Sequence, residues 1–226
     1  MNVMTPGLTA AKAADVPAIA ALINLAYRGA ELDGGWTTEV ELFQGNRTSE
    51  EFLREDIEAN AEASLLVWRL PDGVLLGCVW LEPEDDSIWY LGSLSIEPRQ
   101  QDQGLGRELL AAAEDWVRKR GGREIRMTVV NVRDALINWY MRRGYALTGE
   151  TEPFPYGNNR FGIPKRDDLH FVVNIALGGA REASSFREDE AGPRNRAERR
   201  AVRNGSQRPA GNGRNAGRAH ARPRSR

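Results

Sequence analysis

The sequence is poor in the residues that build metal sites and disulfide frameworks. It has one cysteine, Cys78, and two histidines, His170 and His220, among 226 residues. A single cysteine excludes an intrachain disulfide and a multi-cysteine zinc site, and two histidines argue against a His-based metal centre. We expect Cys78 to be a buried core residue and His170 a structural one, so no covalent cysteine intermediate and no metal are predicted.

Long apolar runs are missing as well. No stretch approaches the ~20 apolar residues that a membrane-spanning helix needs. The N-terminus lacks a basic region followed by an apolar stretch, which is the pattern of a secretion signal. We therefore expect a soluble, cytoplasmic protein, either a monomer or a homodimer.

Lysine is absent from the C-terminal part of the chain, where arginine is abundant. Residues 178–226 contain 13 arginines, no lysine and five acidic residues, a net charge of +8, whereas residues 1–177 have a net charge of -9. Beyond Ala191 the only large aliphatic residue is Val202. The pattern predicts an acidic globular domain over residues 1–177 and a basic disordered tail over residues 178–226.

The tail has two interpretations. It is either a solvated segment or a weak nucleic-acid contact that acts through phosphate electrostatics. Phe186 is its only aromatic residue, so stacking on bases is not supported.

Apolar periodicity predicts strands that alternate with helices in the acidic part. The first predicted helix begins after Asp15 and ends at about Arg28. The second begins at a capping box formed by Thr48 and Glu51, and its apolar side contains Phe52, Leu53 and Ile57. Two further helices are predicted at residues 105–120 and 135–143. The strands are predicted at residues 8–13, 64–69, 74–82, 87–96, 124–130, 145–149 and 169–177. This order favours an α/β fold around a largely antiparallel sheet.

The most informative segment joins the strand that ends at Pro98 to the long helix after it. A turn with Gly104 and Gly106 precedes that helix, and a helix N-terminus with closely approachable backbone amides suits a pyrophosphate. The dinucleotide-binding G-x-G-x-x-G pattern and the P-loop lysine are both missing. Alone, a Gly-x-Gly turn is equally consistent with a plain turn.

Two motifs together resemble the GCN5-related N-acetyltransferase (GNAT) superfamily. The first is Gln/Arg-x-x-Gly-x-Gly/Ala, represented by Gln101, Gly104 and Gly106. The second is a helix tyrosine, Tyr140, four residues before the Gly-aromatic pair that begins at Gly144. The resemblance spans about residues 5–177, and the final part is similar to an uncharacterised bacterial-type subgroup.

The resemblance implies a GNAT fold with acetyl-CoA as co-substrate. That fold is a mixed, mostly antiparallel sheet of about six or seven strands with a splayed central pair, flanked by about four helices. Gly92 would mark a bulge that frees the backbone of one strand for the pantetheine chain. Arg133 stands where many members have a cofactor-contacting asparagine, and Asn131 lies two residues earlier. The cofactor-binding residues implied are Leu94, Ser95, Ile96, Gln101, Asp102, Gln103, Gly104, Leu105, Gly106, Arg107 and, at the asparagine position, Arg133.

The resemblance also implies a direct transfer of the acetyl group to a primary amine of a small molecule or peptide in a ternary complex. Tyr140 is the predicted proton donor to the leaving thiolate. Glu82 is the predicted general base, with Glu97 and Glu150 as alternatives. The alternative function is a non-catalytic acyl-CoA-binding module that uses the basic tail as a nucleic-acid tether.

Two loops are expected to select the amine acceptor. They are residues 31–36, including Trp36, and residues 152–166, in which Phe154, Tyr156 and Phe161 would wall a pocket. The net charge of -9 favours cationic acceptors such as a polyamine, an amino sugar or a lysine-bearing peptide.

Overall fold

The computed structural model describes residues 7–29, 38–100 and 104–177. Three segments with sequence-based predictions lie outside the described residues: residues 30–37, which include Trp36, residues 101–103, and the predicted tail of residues 178–226. The helices are α1 (Val16–Arg28), α2 (Glu50–Ala59), α3 (Leu105–Arg118) and α4 (Asp134–Met141). The strands are β1 (Thr9–Ala10), β2 (Phe43–Gln44), β3 (Ser64–Arg69), β4 (Leu75–Pro83), β5 (Ile88–Ile96), β6 (Glu124–Val130), β7 (Ala146–Pro153), β8 (Ile163–Pro164) and β9 (His170–Leu177).

Seven strands form one sheet in the order β1-β3-β4-β5-β6-β9-β7. Every neighbouring pair is antiparallel except β5 and β6, which run parallel. The predicted α/β class with a mostly antiparallel sheet is confirmed. A small second sheet pairs β2 with β8, where Phe43 faces Pro164 and Gln44 faces Ile163.

Helices cover both faces of the large sheet. Successive side chains of a strand point to opposite faces, and β3 follows that rule. Leu65 and Val67 pack with Ile19 of α1, whereas Leu66 packs with Leu109 of α3. Cys78 is fully buried on the α1 face, as the sequence analysis predicted. Among the described residues, no helix is long and apolar enough to cross a membrane.

The start of α2 differs from the prediction. Ser49, not Thr48, is the N-cap residue, and its hydroxyl accepts a hydrogen bond from the Phe52 amide at 3.1 Å. Thr48 is buried and its carbonyl accepts from the Asn24 side chain instead. Ile57 is 38% exposed, so the apolar side of α2 is shorter than predicted.

The start of α1 was predicted correctly, although the capping interaction is different. Asp15 is the N-cap residue and Pro17 lies in the first turn. The Asp15 carboxylate accepts from the Lys12 amide at 2.8 Å and from the Arg69 guanidinium at 2.6 Å. The Lys12 amide, followed by the Arg69 charge, holds the pKa of Asp15 below its usual value against the opposing effect of burial. These bonds tie the N-terminal segment to β3.

Candidate active site

The two central strands β5 and β6 separate after a short paired segment. Their parallel pairing extends only from Ile88↔Glu124 to Tyr90↔Arg126. Beyond that point β6 pairs only with β9 on its other side. A cavity of about 90 Å³, the cleft cavity, opens between residues 91–94 and residues 127–130. The splayed central pair expected from the sequence is confirmed.

A bulge in β5 bends this strand away from β6. Cys78 of β4 faces Ser95, but Trp80 faces Gly92, so β5 contains one extra residue. Ser93 has a positive φ of 50°, and among the described residues it is the only non-glycine with one. A β-bulge bends its strand and increases the local twist. The interpretation of Gly92 as a bulge marker is confirmed.

The bulge leaves one backbone edge of β5 directed at the cleft. The Glu97 amide donates to the Leu76 carbonyl at 2.9 Å, and Ser95 lies opposite Cys78. Residues 95 and 97 therefore direct their backbone groups toward β4. Because these groups alternate between the two edges of a strand, Leu94 directs its N–H and C=O toward the cleft. An extended chain that contains amides can add to such an edge as a strand does.

The N-terminus of α3 lies beyond the end of β5. Gly104 is the N-cap residue, with a left-handed φ of 82° that favours glycine. Its carbonyl accepts from the amides of Arg107 and Glu108 at 3.0 and 3.2 Å. The amides of Leu105 and Gly106 precede the first helical hydrogen bonds, and amides at such a position of a helix can bind an anion. The three preceding candidate residues, Gln101, Asp102 and Gln103, lie outside the described part of the chain.

Arginines gather beside this helix start. A Cβ on Gly104 would lie 3.5 Å from the Arg107 guanidinium. The Arg143 guanidinium stacks over the Trp139 ring at 3.5 Å and donates to the Trp139 carbonyl at 2.7 Å. Burial, and then the charges of Arg142 and Arg107, lower the pKa of Arg143. This group of cations suits a polyphosphate ligand.

Tyr140 lines the cleft cavity from α4. It is 6% exposed, and its ring makes edge contacts with Trp139 and Tyr145 at 5.0 and 5.5 Å. Within the described residues its hydroxyl makes no hydrogen bond. Burial raises the pKa of Tyr140, so the hydroxyl stays protonated at neutral pH. A protonated hydroxyl at a cavity wall can donate a proton to a group held there.

Arg133 belongs to a buried ionic triad at the same cavity. Its guanidinium donates to one oxygen of Glu39 at 2.7 Å, and the Arg28 guanidinium donates to the other at 2.6 Å. The three side chains are 6–9% exposed. Asn131 does not take part, because its side chain donates to the Asp168 carbonyl and accepts from the His170 amide. The structure thus places Arg133, but not Asn131, at the cleft.

The three carboxylates considered as general bases do not line the cleft cavity. Glu82 accepts from the Trp80 indole at 3.0 Å on the α1 face of the sheet. Glu150 is paired with Arg126 and its side chain is 56% exposed. Glu97 follows β5, where its backbone amide donates a hydrogen bond to the Leu76 carbonyl of β4.

The acceptor side of the cavity contains part of the predicted aromatic wall. Phe154 and Phe161 line the cleft cavity. Tyr156 is 43% exposed, and its hydroxyl accepts from the Leu169 amide at 2.6 Å, outside the cavity. Among the polar lining residues that sequence analysis missed are four from the end of α1 and the segments after it: Tyr27, Arg28, Glu39 and Arg47. Neither the motifs nor the periodicity marked them, because they belong to the end of α1 and the loops that follow it.

Structural comparison finds the same fold in solved structures of proteins from several organisms. Ard1 from Thermoplasma volcanium matches with a TM-score of 0.57 and 12% identity, over 78% of this chain and all of its own. The ribosomal-protein-S18-alanine N-acetyltransferase from Escherichia coli matches with a TM-score of 0.54 and 16% identity, over 79% of this chain and 97% of its own. A spermidine N-acetyltransferase chimera from Vibrio cholerae and hSSAT matches with a TM-score of 0.55 and 18% identity, over 77% of this chain and 96% of its own. At these identities the likeness shows the fold alone.

Comparison at the sequence level identifies the family. No curated protein matches the chain significantly. The model of the acetyltransferase (GNAT) family matches residues 33–145, which is half of the chain and spans the segment from α2 to the end of α4. The splayed strands, the bulge and the glycine-capped α3 lie within that match. The chain therefore belongs to the acetyltransferase (GNAT) family.

Proposed function

We propose that this protein transfers the acetyl group of acetyl-CoA to a primary amine of a small molecule or peptide, by direct transfer in a ternary complex. The observation that supports this most is the Tyr140 hydroxyl, which is protonated, lines the cleft cavity and makes no hydrogen bond within the described residues. A module that only bound acyl-CoA would not need a proton donor there.

The residues of the cleft fit acetyl-CoA. The amides of Leu105 and Gly106, with Gly104 and Arg107, would hold the pyrophosphate, together with the predicted residues Gln101, Asp102 and Gln103. The backbone of Leu94 and Ile96, on the cleft edge of β5, would pair with the pantetheine amides, whereas Ser95 directs its backbone toward β4. The β5 backbone near Ile96 would donate to the carbonyl oxygen as it gains charge. Arg133, fixed by Glu39, would border the reacting end.

The transfer forms one C–N bond and breaks one C–S bond. The neutral amine attacks the thioester carbonyl, and its surplus proton leaves to a base. Tyr140 gives its proton to the departing thiolate, so that CoA leaves as a thiol. Glu82 remains our candidate for the base; it would act through water, because its carboxylate does not line the cavity.

A covalent acetyl-cysteine route is disfavoured by the environment of Cys78. Its side chain is fully buried, and burial raises the pKa of the thiol to about 12. The thiolate is the nucleophilic form of cysteine, so Cys78 is almost entirely unreactive at neutral pH. This supports direct transfer.

The test measures CoA release and acetyl-CoA binding on the same protein. Wild type with acetyl-CoA and a library of amines should release CoA thiol, whereas a binding module would bind acetyl-CoA in calorimetry and release none with any amine. Tyr140→Phe should lower kcat by about 10²–10⁴-fold with little change in acetyl-CoA affinity. Tyr145→Phe is the matched control, because Tyr145 is equally buried but its hydroxyl is bonded to Glu114. An unchanged kcat in Tyr140→Phe, under conditions where chemistry limits the rate, would remove the proton-donor role.

A further inference from the structure

The cleft cavity is lined by positive charge, although the domain as a whole is acidic. Among the described residues, its lining contains three arginines, Arg28, Arg47 and Arg133, and one carboxylate, Glu39. Residues 1–177 have a net charge of -9, from which the sequence analysis favoured a cationic acceptor. The electrostatic potential that an acceptor meets is set mainly by the charges within a few ångströms in a cavity of low dielectric constant. The local charge therefore points to the opposite sign of acceptor.

Glu39 does not neutralise the whole group. Its two carboxylate oxygens are occupied by Arg28 and Arg133, at 2.6 and 2.7 Å. A carboxylate that is engaged in this way by two guanidinium groups leaves the triad with a net charge of +1. Arg47 adds a further positive charge to the same cavity.

A neighbouring cavity shares Arg47 with the cleft. This second cavity, also of about 90 Å³, is lined by Asp56 and Arg160 as well as Arg47. Asp56 is paired with Arg160 at 2.6 Å, and Arg160 also contacts Glu55 at 2.5 Å. The carboxylate of the second cavity thus has its own cation.

Arg47 is held in position by rings and by its backbone. Its guanidinium lies over the Phe161 ring at 4.4 Å and over the Tyr27 ring at 5.4 Å. Its amide donates to the Asn24 side chain at 2.8 Å. Within the described residues the guanidinium has no carboxylate within salt-bridge distance and no hydrogen-bond acceptor. A cation–π contact does not use the N–H groups of a guanidinium as hydrogen-bond donors, so these groups can bind an anion.

We propose that the acceptor amine also carries an anionic oxygen group, a carboxylate or a phosphate-type group, which binds to Arg47 between the two cavities. This inference rests on the proposed acetyltransferase function and names the class of its acceptor. A guanidinium edge forms two parallel hydrogen bonds to either anion. The amine would then lie in the cleft cavity, on the side of Tyr140.

The test compares acceptors that differ only in the anionic group. Purified full-length protein and acetyl-CoA are assayed for CoA release with amino acids, with their carboxamides, with the corresponding aminophosphonates and with a polyamine. We expect kcat/KM to be higher for the amino acids or the aminophosphonates than for the carboxamides and the polyamine. The comparison between amino acids and aminophosphonates shows whether the enzyme prefers a carboxylate or a phosphate-type group. A carboxamide keeps the amine and the body of the molecule, so its loss of activity isolates the negative charge.

Two variants of Arg47 and one control locate the effect. Arg47→Gln should lower kcat/KM for the anionic acceptor by about 10- to 150-fold, because a hydrogen-bonded charge is removed, and leave the acetyl-CoA affinity unchanged. Arg47→Lys should have a kcat/KM between those of wild type and Arg47→Gln, because lysine keeps the positive charge but lacks the planar pair of donors. Arg118→Gln is the control, because the Arg118 side chain is 54% exposed on α3 and pairs with Asp115, away from the cleft cavity.

A second measurement needs no turnover. Calorimetry in the presence of CoA should show that N-acetyl amino acids bind wild type more tightly than the corresponding N-acetyl carboxamides, and that Arg47→Gln abolishes this difference. Turnover with polyamines or carboxamides and no effect of Arg47→Gln would overturn this inference and leave the acetyltransferase function intact. Acetyl-CoA binding without turnover of any amine would overturn the proposed function itself.

Discussion

The Arg28–Glu39–Arg133 triad allows a quantitative prediction for Glu39→Gln. Glu39 is 5% exposed, and the side chain of Arg28 is 7% exposed. In the variant Arg28 keeps its carbonyl acceptors at Tyr27, Gly45 and Phe161, so its hydrogen bonding remains largely satisfied. Arg28 loses its carboxylate partner in the variant. In wild type, burial lowers the pKa of Arg28 and the charge of Glu39 opposes that effect, so the variant leaves a buried cation without this compensation.

Removal of one partner from a buried ion pair costs about 3–5 kcal/mol. For a domain of this size, each kcal/mol corresponds to about 2–4 °C in Tm. We therefore expect Glu39→Gln to lower the Tm by roughly 6–20 °C. Thermal unfolding by circular dichroism gives the Tm, and urea unfolding gives the free energy of unfolding independently.

The matched control for this prediction is Glu50→Gln. Glu50 pairs with Arg54 on α2, and the two side chains are 55% and 44% exposed. An exposed pair contributes only about 0–1 kcal/mol. If the two variants lost the same free energy of unfolding, the triad would not be buried and ion-paired as described, and the reasoning from Arg28 would be refuted.

Three further predictions concern the proposed phosphate loop, the proposed base and the half-buried carboxyl group of Glu114. Gly106→Asp should weaken acetyl-CoA binding by more than about 10-fold in calorimetry, because the new carboxylate repels the pyrophosphate at the helix N-terminus. The neutral variant Gly106→Asn should bind acetyl-CoA more tightly than Gly106→Asp, and equal affinities of the two variants would exclude the charge effect. Glu82→Gln should lower kcat by about 10²-fold if it accepts the amine proton, and Glu150→Gln, which changes an exposed carboxylate, should not; an unaffected Glu82→Gln enzyme would eliminate this base. Burial raises the pKa of Glu114, so its contribution to stability is greatest below the usual glutamate pKa and declines as the pH rises through the raised one. Thermal unfolding should accordingly show Glu114→Gln gaining Tm relative to wild type from pH 4 to pH 7, and a constant difference would contradict this assignment.

Local patterns were sufficient for most of the regular elements. The apolar spacing in α1 and α3 predicted both helices, and the predicted strands at residues 64–69 and 74–82 agree with β3 and β4 to within one residue. Gly92 predicted the bulge in β5, because glycine inside a strand pattern relieves a close approach. These features depend on residues near in sequence, which is why periodicity and turn chemistry identify them.

The two-residue strands β2 and β8 were not predictable from the sequence. Each is too short to show an alternating pattern, and they pair across about 120 intervening residues. The capping of α2 by Ser49 also departed from the prediction, because Thr48 is engaged by Asn24 of another helix. Such tertiary contacts decide between two equally suitable neighbouring residues.

The sequence by itself determined the fold family and predicted a phosphate-binding loop, because both depend on short motifs with glycines at fixed positions. It also determined that Tyr140 follows the loop at the family's position. Only the tertiary structure showed which charges meet in the described lining of the cleft cavity. Net charge sums residues over the whole surface, whereas the cavity brings Arg28, Arg47 and Arg133 together from three separate segments. An acidic chain can therefore enclose a cationic cavity, since the local field depends on distance and burial rather than on composition.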